Sequence, residues 1–436
     1  MSEHVDVLVI GGGPAGATSA ALLAEDGWQV ALLEKVRHPR FHIGESLLPQ
    51  TMPILERLGV SQAVSEIGVP KPGADFTCQV GGSRAIRFAD ALNAGPATAY
   101  QVKRSEFDKL LLDNARRKGV AVHEETVARR LTSDGDRVVE VEAVHADGTP
   151  RVWRARQVID ASGRDGLVAR RLGLRVPNRV HQTAAIFGHF RGAVFRDGEA
   201  AGNISIYWFE HGWLWMIPLA GDVMSIGAVC TTTYLRERRE DLASFLWRTI
   251  ALCPGVAERT REARLIGPAH AASNYAYGSR RMAGENYVLI GDAFAFVDPI
   301  FSSGVHFAMT GADLAAGAVA ARLRGTPDAP RALTLMERRI RHGLALMSWL
   351  ILRFNSPALR RVFLHPGDLL DIERTILAIV AGDVFGRTRL GARFQLFKLV
   401  YYASALMGPG RDWRYWRAHR RDVALALADP LVGDDA

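Results

Sequence analysis

Cysteine is scarce in this chain. Cys78, Cys230 and Cys253 are the three in 436 residues, scattered and without a C-x-x-C pair. An odd, sparse set argues against a disulfide framework and against a zinc site, so no metal ligands are expected. Long apolar runs are missing too. The most apolar late stretch, Leu344 to Leu352, is too short to span a bilayer. The first apolar strand begins at Val5, leaving no room for a signal peptide, and the expectation is a cytoplasmic protein with no membrane span. There is no internal repeat and no low-complexity tract. The formal net charge is +8, yet no basic stripe crosses the first two thirds, and much of the excess lies in Arg-rich helices near the C-terminus. That favours an acidic partner or an anionic cofactor over nucleic acid.

What is present is an apolar content of 48% and a length sufficient for two fused substructures around a large core. The chain is organised around Val5 to Glu34. Val5, Val7, Leu8, Val9 and Ile10 form the β-branched run of a strand buried on both faces of a parallel sheet. Gly11, Gly13 and Gly16 follow at G-x-G-x-x-G spacing, then a helix of small residues, then a second apolar strand from Trp28 to Leu33 that stops at Glu34. Gly11 allows the tight turn, Gly13 lets backbone approach a pyrophosphate, and Gly16 lets helix and strand pack closely. The helix N-terminus offers N–H donors to phosphate, and Glu34 stands where a carboxylate binds ribose hydroxyls. A glycine-rich turn in some other α/β protein is the plain alternative, but strand, glycines, helix, strand and terminal acid together outweigh it.

Further along, Gly44, Glu45 and Ser46 mark a loop, and Leu47 to Leu58 predicts a helix interrupted near its start by Pro49 and Pro53. Residues 77–100 read as a short β excursion, and Gln101 to Lys118 as a strand end followed by an amphipathic helix. Arg156 to Gly166 is an apolar strand ending in a glycine- and aspartate-rich turn. Residues 180–232 alternate as a sheet does, and Tyr287 to Ile290 is another buried strand, ending in Gly291-Asp292. A long helix of small residues starts near Gly304, and the remainder is mostly helical. A cofactor domain interrupted by a substrate sheet explains this order.

Three separated motifs, GGGPAG at Gly11 to Gly16, DASGRDG at Asp160 to Gly166 and IGDAFAFVDP at Ile290 to Pro299, resemble those of the flavin monooxygenase superfamily with a p-hydroxybenzoate hydroxylase-like fold. The resemblance implies an α/β fold: a Rossmann-like FAD-binding domain of the glutathione reductase/p-hydroxybenzoate hydroxylase type, an inserted antiparallel substrate sheet and a C-terminal helical region. The implied divisions are 1–76, 101–180 and 281–325 for the FAD domain, 77–100 and 181–280 for the sheet, and 326–436 for the helices. It also implies that Asp292 binds the FAD ribityl chain, that Asp165 with Gly166 supports the pyrophosphate region, and that Arg40 and Arg104 lie near FAD phosphates. A solvated charge at a helix start is the alternative for Arg104.

Two further stretches resemble the flavin-dependent halogenases. Trp213-Leu214-Trp215-Met216-Ile217-Pro218 fits their W-x-W-x-I-P pattern. In a strand Trp213, Trp215 and Ile217 share one face and Pro218 ends the pairing. Rings there could wall the flavin off from an organic substrate. A buried strand with aromatic packing is the plain alternative, and geranylgeranyl reductases carry a similar strand. Lys71, between Pro70 and Pro72, matches the region of the halogenase lysine. The flanking prolines deny it a helix. Such a lysine would hydrogen-bond hypochlorous acid or be chlorinated by it, and the second route needs a partly deprotonated amine. An exposed turn lysine is the alternative.

In Asp298 to Val305, Ser302 or Ser303 could cap the long helix, leaving N–H groups at Ser303 and Gly304 for a small anion. The resemblance places chloride or bromide there, with Pro299, Gly304 and Val305 beside the FAD. This form resembles the phenol and carrier-bound pyrrole branch. Phe301 stands where tryptophan halogenases carry glutamate, which argues against free tryptophan. The implied reaction is formation of hypohalous acid from halide with FADH2 and oxygen, then delivery through Lys71 to an electron-rich aromatic ring, free or on a carrier protein, in secondary metabolism. One dinucleotide fingerprint is present and FAD claims it, so a separate flavin reductase supplies FADH2. A reductase or dehydrogenase, an aromatic hydroxylase and a non-catalytic flavin-binding protein are the rivals. The apolar, aromatic Phe394 to Tyr402 and the basic Arg411 to Arg421 read as a helical lid, a docking face for an acidic carrier protein, or helices packed on the core with arginines facing water.

Overall fold

A computed structural model describes residues 2–78, 82–92, 95–296, 298–364, 371–386 and 390–407. The basic stretch 411–421 lies outside them. The chain opens as its patterning dictates, with β1 (Ser2–Ile10), α1 (Pro14–Glu25) and β2 (Val30–Leu33). Two short helices, α2 (Met52–Leu58) and α3 (Ser61–Ile67), follow a 3-10 turn at Pro49–Thr51. The two prolines therefore shorten the predicted 47–58 helix at its N-terminal side, where a missing N–H is tolerated. Next come β3 (Val69–Lys71), β4 (Gly73–Cys78), β5 (Gly82–Arg87), β6 (Ala99–Gln101) and α4 (Arg104–Arg117). The chain then returns through β7 (Ala121–His123), β8 (Thr126–Asp134), β9 (Arg137–His145), β10 (Pro150–Asp160) and α5 (Leu167–Arg171).

The second half begins with β11 (Arg175–Arg191), β12 (Ile204–Phe209), β13 (Gly212–Leu219) and β14 (Val223–Thr231), then three short helices, α6 (Thr232–Arg236), α7 (Leu242–Ala251) and α8 (Pro254–Arg259). After them come β15 (Arg264–Ser279), β16 (Tyr287–Leu289) and β17 (Ala295–Phe296). Helices complete the described chain: α9 (Gly304–Arg324), α10 (Ala329–Arg353), α11 (Pro357–Leu364), α12 (Ile372–Val380) and α13 (Leu390–Met407).

Two large sheets result. One has the order β7-β2-β1-β10-β9-β8, with β16 beside the C-terminal half of β10. Strands β7, β2, β1, β10 and β16 are parallel and their C-terminal ends share one edge, where a parallel sheet holds its ligands. The other runs β17-β15-β11-β14-β13-β12-β4-β5, antiparallel except for β12 with β4. The faces of β13 divide as alternation requires. Trp213, Trp215, Ile217 and Leu219 join the main core, whereas Leu214 and Met216 pack beneath α7. Pro218 does not end the strand. Pairing with β14 continues to Leu219, and only the pairing with β12 stops, at Met216. A proline withholds one donor, so it can spare one neighbour and still pair with the other. Among the described residues no helix is long and apolar enough to cross a membrane.

Candidate active site

The nucleotide end follows from close packing. A Cβ on Gly11, whose φ is +107°, would sit 2.3 Å from the Ala161 carbonyl oxygen, and one on Gly16 would sit 1.8 Å from that of Gly11. Glu34 is buried and accepts from Gly12 N at 2.7 Å and Val36 N at 3.1 Å, so the acid at the tip of β2 shapes the glycine loop. Gly13 stays open, its nearest neighbour being Arg40 Nη2 at 3.7 Å from an ideal Cβ. Nε and Nη1 of Arg40 are buried without hydrogen-bond partners, and its carboxylate neighbours Glu34 and Asp108 stand off at 3.9 and 3.5 Å. A guanidinium left short of acceptors above an open glycine turn is what a pyrophosphate satisfies. These residues fit FAD.

Arg104 is the first residue of α4 and is buried, not solvated. It pairs with Asp108 through Nε at 2.7 Å and Nη2 at 3.0 Å and gives Nη1 to the Ile43 carbonyl at 2.9 Å. Asp165 lies at the surface with Lys35. The buried acid of that motif is Asp160, which accepts from Ser162 N at 3.0 Å, Ser162 Oγ at 2.6 Å and Val168 N at 2.8 Å. Burial pushes the Asp292 carboxyl up, while Arg164 and Arg104 pull it down.

Residues 41–51 tie this end to the rest of the site. Glu45 O accepts from Val102 N at 2.8 Å and Leu47 N donates to Tyr100 O at 3.0 Å, so the stretch read as a loop is an added edge on β6. Lys71 lies on β3, which pairs with the other edge of β6. Its amine is buried, donates to the Leu47 carbonyl at 2.9 Å and stands 5.2 Å from the Phe88 ring centre. Burial alone lowers it from 10.5 to about 7. The exposed-turn alternative for Lys71 is therefore wrong. Sequence reading missed the contacts around this stretch. Glu45 reaches His189 of β11 at 2.8 Å, and Phe41 stacks on His270 at 4.2 Å. Thr51 Oγ1 meets His306 Nδ1 at 3.3 Å, while His306 Nε2 meets the Gly382 carbonyl at 2.8 Å. The only advance signal was the Gly44-Glu45-Ser46 run, which gives no hint of its partners.

Trp213 and Trp215 have ring centres 5.8 Å apart. Trp215 donates its indole N–H to Ser225 Oγ at 3.2 Å and lies across Gly227, where an ideal Cβ would be 2.3 Å from the indole edge. Trp208, Phe354 and Phe301 continue the aromatic packing, with centres 4.5 Å apart for the first two and 5.6 Å for the second pair. At the start of α9 Ser303 is the N-cap residue, but its hydroxyl caps nothing. Asp298 does the local capping, accepting from Ile300 N at 3.2 Å. Ser302 turns left-handed at φ +56°, and an ideal Cβ on Gly304 meets nothing within 4 Å.

Comparison with known proteins shows the family. Residues 4–349 match the family model described as an FAD binding domain. The chain is 31% identical over 460 aligned residues to the 1H-pyrrole-2-carbonyl-[peptidyl-carrier protein] chlorinase of Pseudomonas fluorescens, covering 99% of this chain and 100% of that one. The chain belongs to the flavin-dependent halogenases. This halogenase-family chain is also 36% identical over 343 residues to a tryptophan 2-halogenase of Chondromyces crocatus, covering 78% of itself and 65% of that longer protein. Among solved structures, the myxobacterial chondrochloren halogenase CndH aligns at TM-score 0.78 with 30% identity, covering 94% of this chain and 99% of that one. A flavoprotein/dehydrogenase from Cytophaga hutchinsonii aligns at 0.84 with 30% identity, covering 92% and 100%.

Proposed function

We propose that this protein is an FADH2- and O2-dependent halogenase that forms hypohalous acid and halogenates an electron-rich aromatic compound. The observation that carries the reading is Lys71: a buried amine on a strand, held by a backbone carbonyl, which burial lowers to about 7. Reduced FAD, when bound, supplies with oxygen the two-electron oxidation of halide. The chain's own residues do the rest. Arg40, Glu34 and the glycine turn hold the dinucleotide. Ser303 and Gly304 offer N–H groups at the start of α9 to chloride or bromide, with Val305 beside the FAD. Trp213 and Trp215 keep the organic ring away from the flavin, and Lys71 meets the small oxidant on the far side.

The likeness to the pyrrolyl-carrier chlorinase makes a carrier-tethered pyrrole one substrate class; phenols, which the motif resemblance implies, are a second. The likeness to the tryptophan 2-halogenase keeps an indole in the panel, despite Phe301. We assign electron supply to a separate cytoplasmic flavin reductase. The test supplies reduced FAD, oxygen and bromide with phenols, indoles and carrier-bound pyrroles, and looks for halogenated product by mass. The likeness to a flavoprotein/dehydrogenase supports a second reading, hydride transfer to or from a substrate. Turnover that ignores halide would select it.

A further inference from the structure

The small sheet that carries Lys71 places three polar side chains on one face. β3 pairs Val69 with Gln101 and Lys71 with Ala99, and an isolated antiparallel bridge pairs Gln101 with Ser46. The flanking bonds, Leu47 N to Tyr100 O and Val102 N to Glu45 O, make Ser46 and Gln101 a non-hydrogen-bonded pair. In that geometry facing side chains come closest. Lys71 is two residues from Val69, so the pleat turns it to the same face. Glu45, one residue off, points to the opposite face and to His189.

This face is buried and its polar atoms are underused. Lys71, Gln101 and Ser46 are 1%, 0% and 3% exposed. Ser46 Oγ and Gln101 Oε1 have no hydrogen-bond partner. Gln101 gives its amide N–H to the Gly202 carbonyl at 3.0 Å, which fixes the opposite atom as an oxygen that can only accept. Lys71 commits one donor to Leu47 and keeps others. A buried hydroxyl and a buried amide oxygen left unpaired are both costly, so a ligand that satisfies both has a ready site. A halide ion does not suit it, because Gln101 Oε1 would face a second negative atom. A neutral H–O–X molecule does, since it carries one donor and oxygen lone pairs.

Resting on the halogenase reading, we propose that Ser46 and Gln101 bind the hypohalous acid beside Lys71. The acid gives its O–H to Gln101 Oε1, and its oxygen receives hydrogen bonds from Lys71 Nζ and Ser46 Oγ. The halogen then points away from all three, toward the aromatic ring. In the transfer the ring's π pair forms the C–X bond, the O–X bond breaks with its pair on oxygen, and the ring proton leaves. The oxygen departs as water.

The experiment is a competition. Reduced FAD, oxygen and bromide are supplied with an accepted aromatic substrate and an added diffusible 1,3-dione trap. The ratio of trapped to ring-bound halogen is measured for wild type, Ser46→Ala, Gln101→Leu and Ser46→Thr. In Ser46→Ala and Gln101→Leu the ratio rises by about 10-fold, one lost hydrogen bond's worth of retention. In Ser46→Thr, which keeps the hydroxyl, it returns toward wild type. Ser46→Ala deletes one atom and keeps the test open should Gln101→Leu fail to fold. An unchanged ratio in a wild type and variants that all halogenate overturns this site alone. A wild type that brominates neither acceptor overturns the halogenase reading, and this site with it.

Discussion

Lys71 Nζ donates to the carbonyl oxygen of Leu47 at 2.9 Å, in a pocket that burial makes hostile to an ammonium ion. The folded amine titrates at about 7 where an ordinary lysine titrates at 10.5. Between those values the unfolded chain holds a proton that the folded chain does not, so stability rises with pH across that window. The penalty is complete below about pH 7 and absent above about 10.5. Lys71→Met should therefore stabilise the fold most at low pH, by up to roughly 5 kcal/mol. Denaturant melts of both proteins at pH 6 and pH 9 measure this. A gain no larger at pH 6 than at pH 9 would mean the amine is not buried.

The same titration reaches the chemistry. Halogenation with reduced FAD supplied should change through a midpoint near pH 7, where the amine is half charged. A limb that rises with pH identifies the neutral amine as the group halogenated. A limb that falls identifies the ammonium as hydrogen-bond donor. Lys71→Ala should abolish product while FAD still binds. A profile flat from pH 6 to 8.5 would remove Lys71 from the reaction.

Trp215, half of the proposed barrier, rests on a glycine. Gly227 faces Trp215 across β13 and β14, and a Cβ there would lie 2.3 Å from Trp215 Cζ2 and 2.5 Å from Phe187 Cβ. Gly227→Ala must push the indole aside, at a cost of about 1–3 kcal/mol. The wall should then leak. We expect a lower melting temperature together with less halogenated product and more peroxide per FADH2 oxidised. An unchanged product-to-peroxide ratio in a folded variant would show that Trp215 is not part of a barrier.

How much of this could be read in the chain depended on the range of the interactions. The β1-α1-β2 unit was legible because its cause is local: a buried strand, three glycines at fixed spacing and a terminal acid. The shared face of Trp213, Trp215 and Ile217 followed from alternation alone. Lys71 was placed on extended backbone by its prolines, but its burial comes from Leu47 and Phe88, which spacing does not reveal. Contacts made across long separations stayed hidden. Glu45 with His189 and His306 with Gly382 span 144 and 76 residues. Arg104 illustrates the same limit: a charge at a helix start reads as solvated until Asp108 and the Ile43 carbonyl are seen around it.

The start of α9 separates two polar residues that look alike in sequence. Ser303 Oγ makes no cap, so Ser303→Ala should leave stability within about 0.5 kcal/mol. Asp298 accepts from Ile300 N and from Thr183 Oγ1, so Asp298→Ala should cost about 1–2 kcal/mol. Thermal melts of the two variants side by side test the assignment. Equal losses would restore the serine as the structural cap. Halide is assigned to backbone N–H groups, which Ser303→Ala keeps, so the bromide concentration needed for half-maximal rate should stay unmoved as well; a rise would bring the hydroxyl itself into the halide site.

Arg40 tests the nucleotide end without disturbing the fold. Its Nε and Nη1 are buried and lack hydrogen-bond partners, and its carboxylate neighbours are no nearer than 3.5 Å. The guanidinium therefore adds little to the folded chain and much to an anion placed over Gly13. Arg40→Gln should weaken FAD binding by about 10-fold, the worth of one charge-assisted hydrogen bond. The apoprotein's melting temperature should hold or rise, since a poorly satisfied buried charge has gone. Titration of flavin fluorescence against apoprotein gives the affinity. Unchanged affinity would place the pyrophosphate elsewhere, whereas a collapse of stability would make Arg40 a structural ion-pair partner of Asp108 and Glu34.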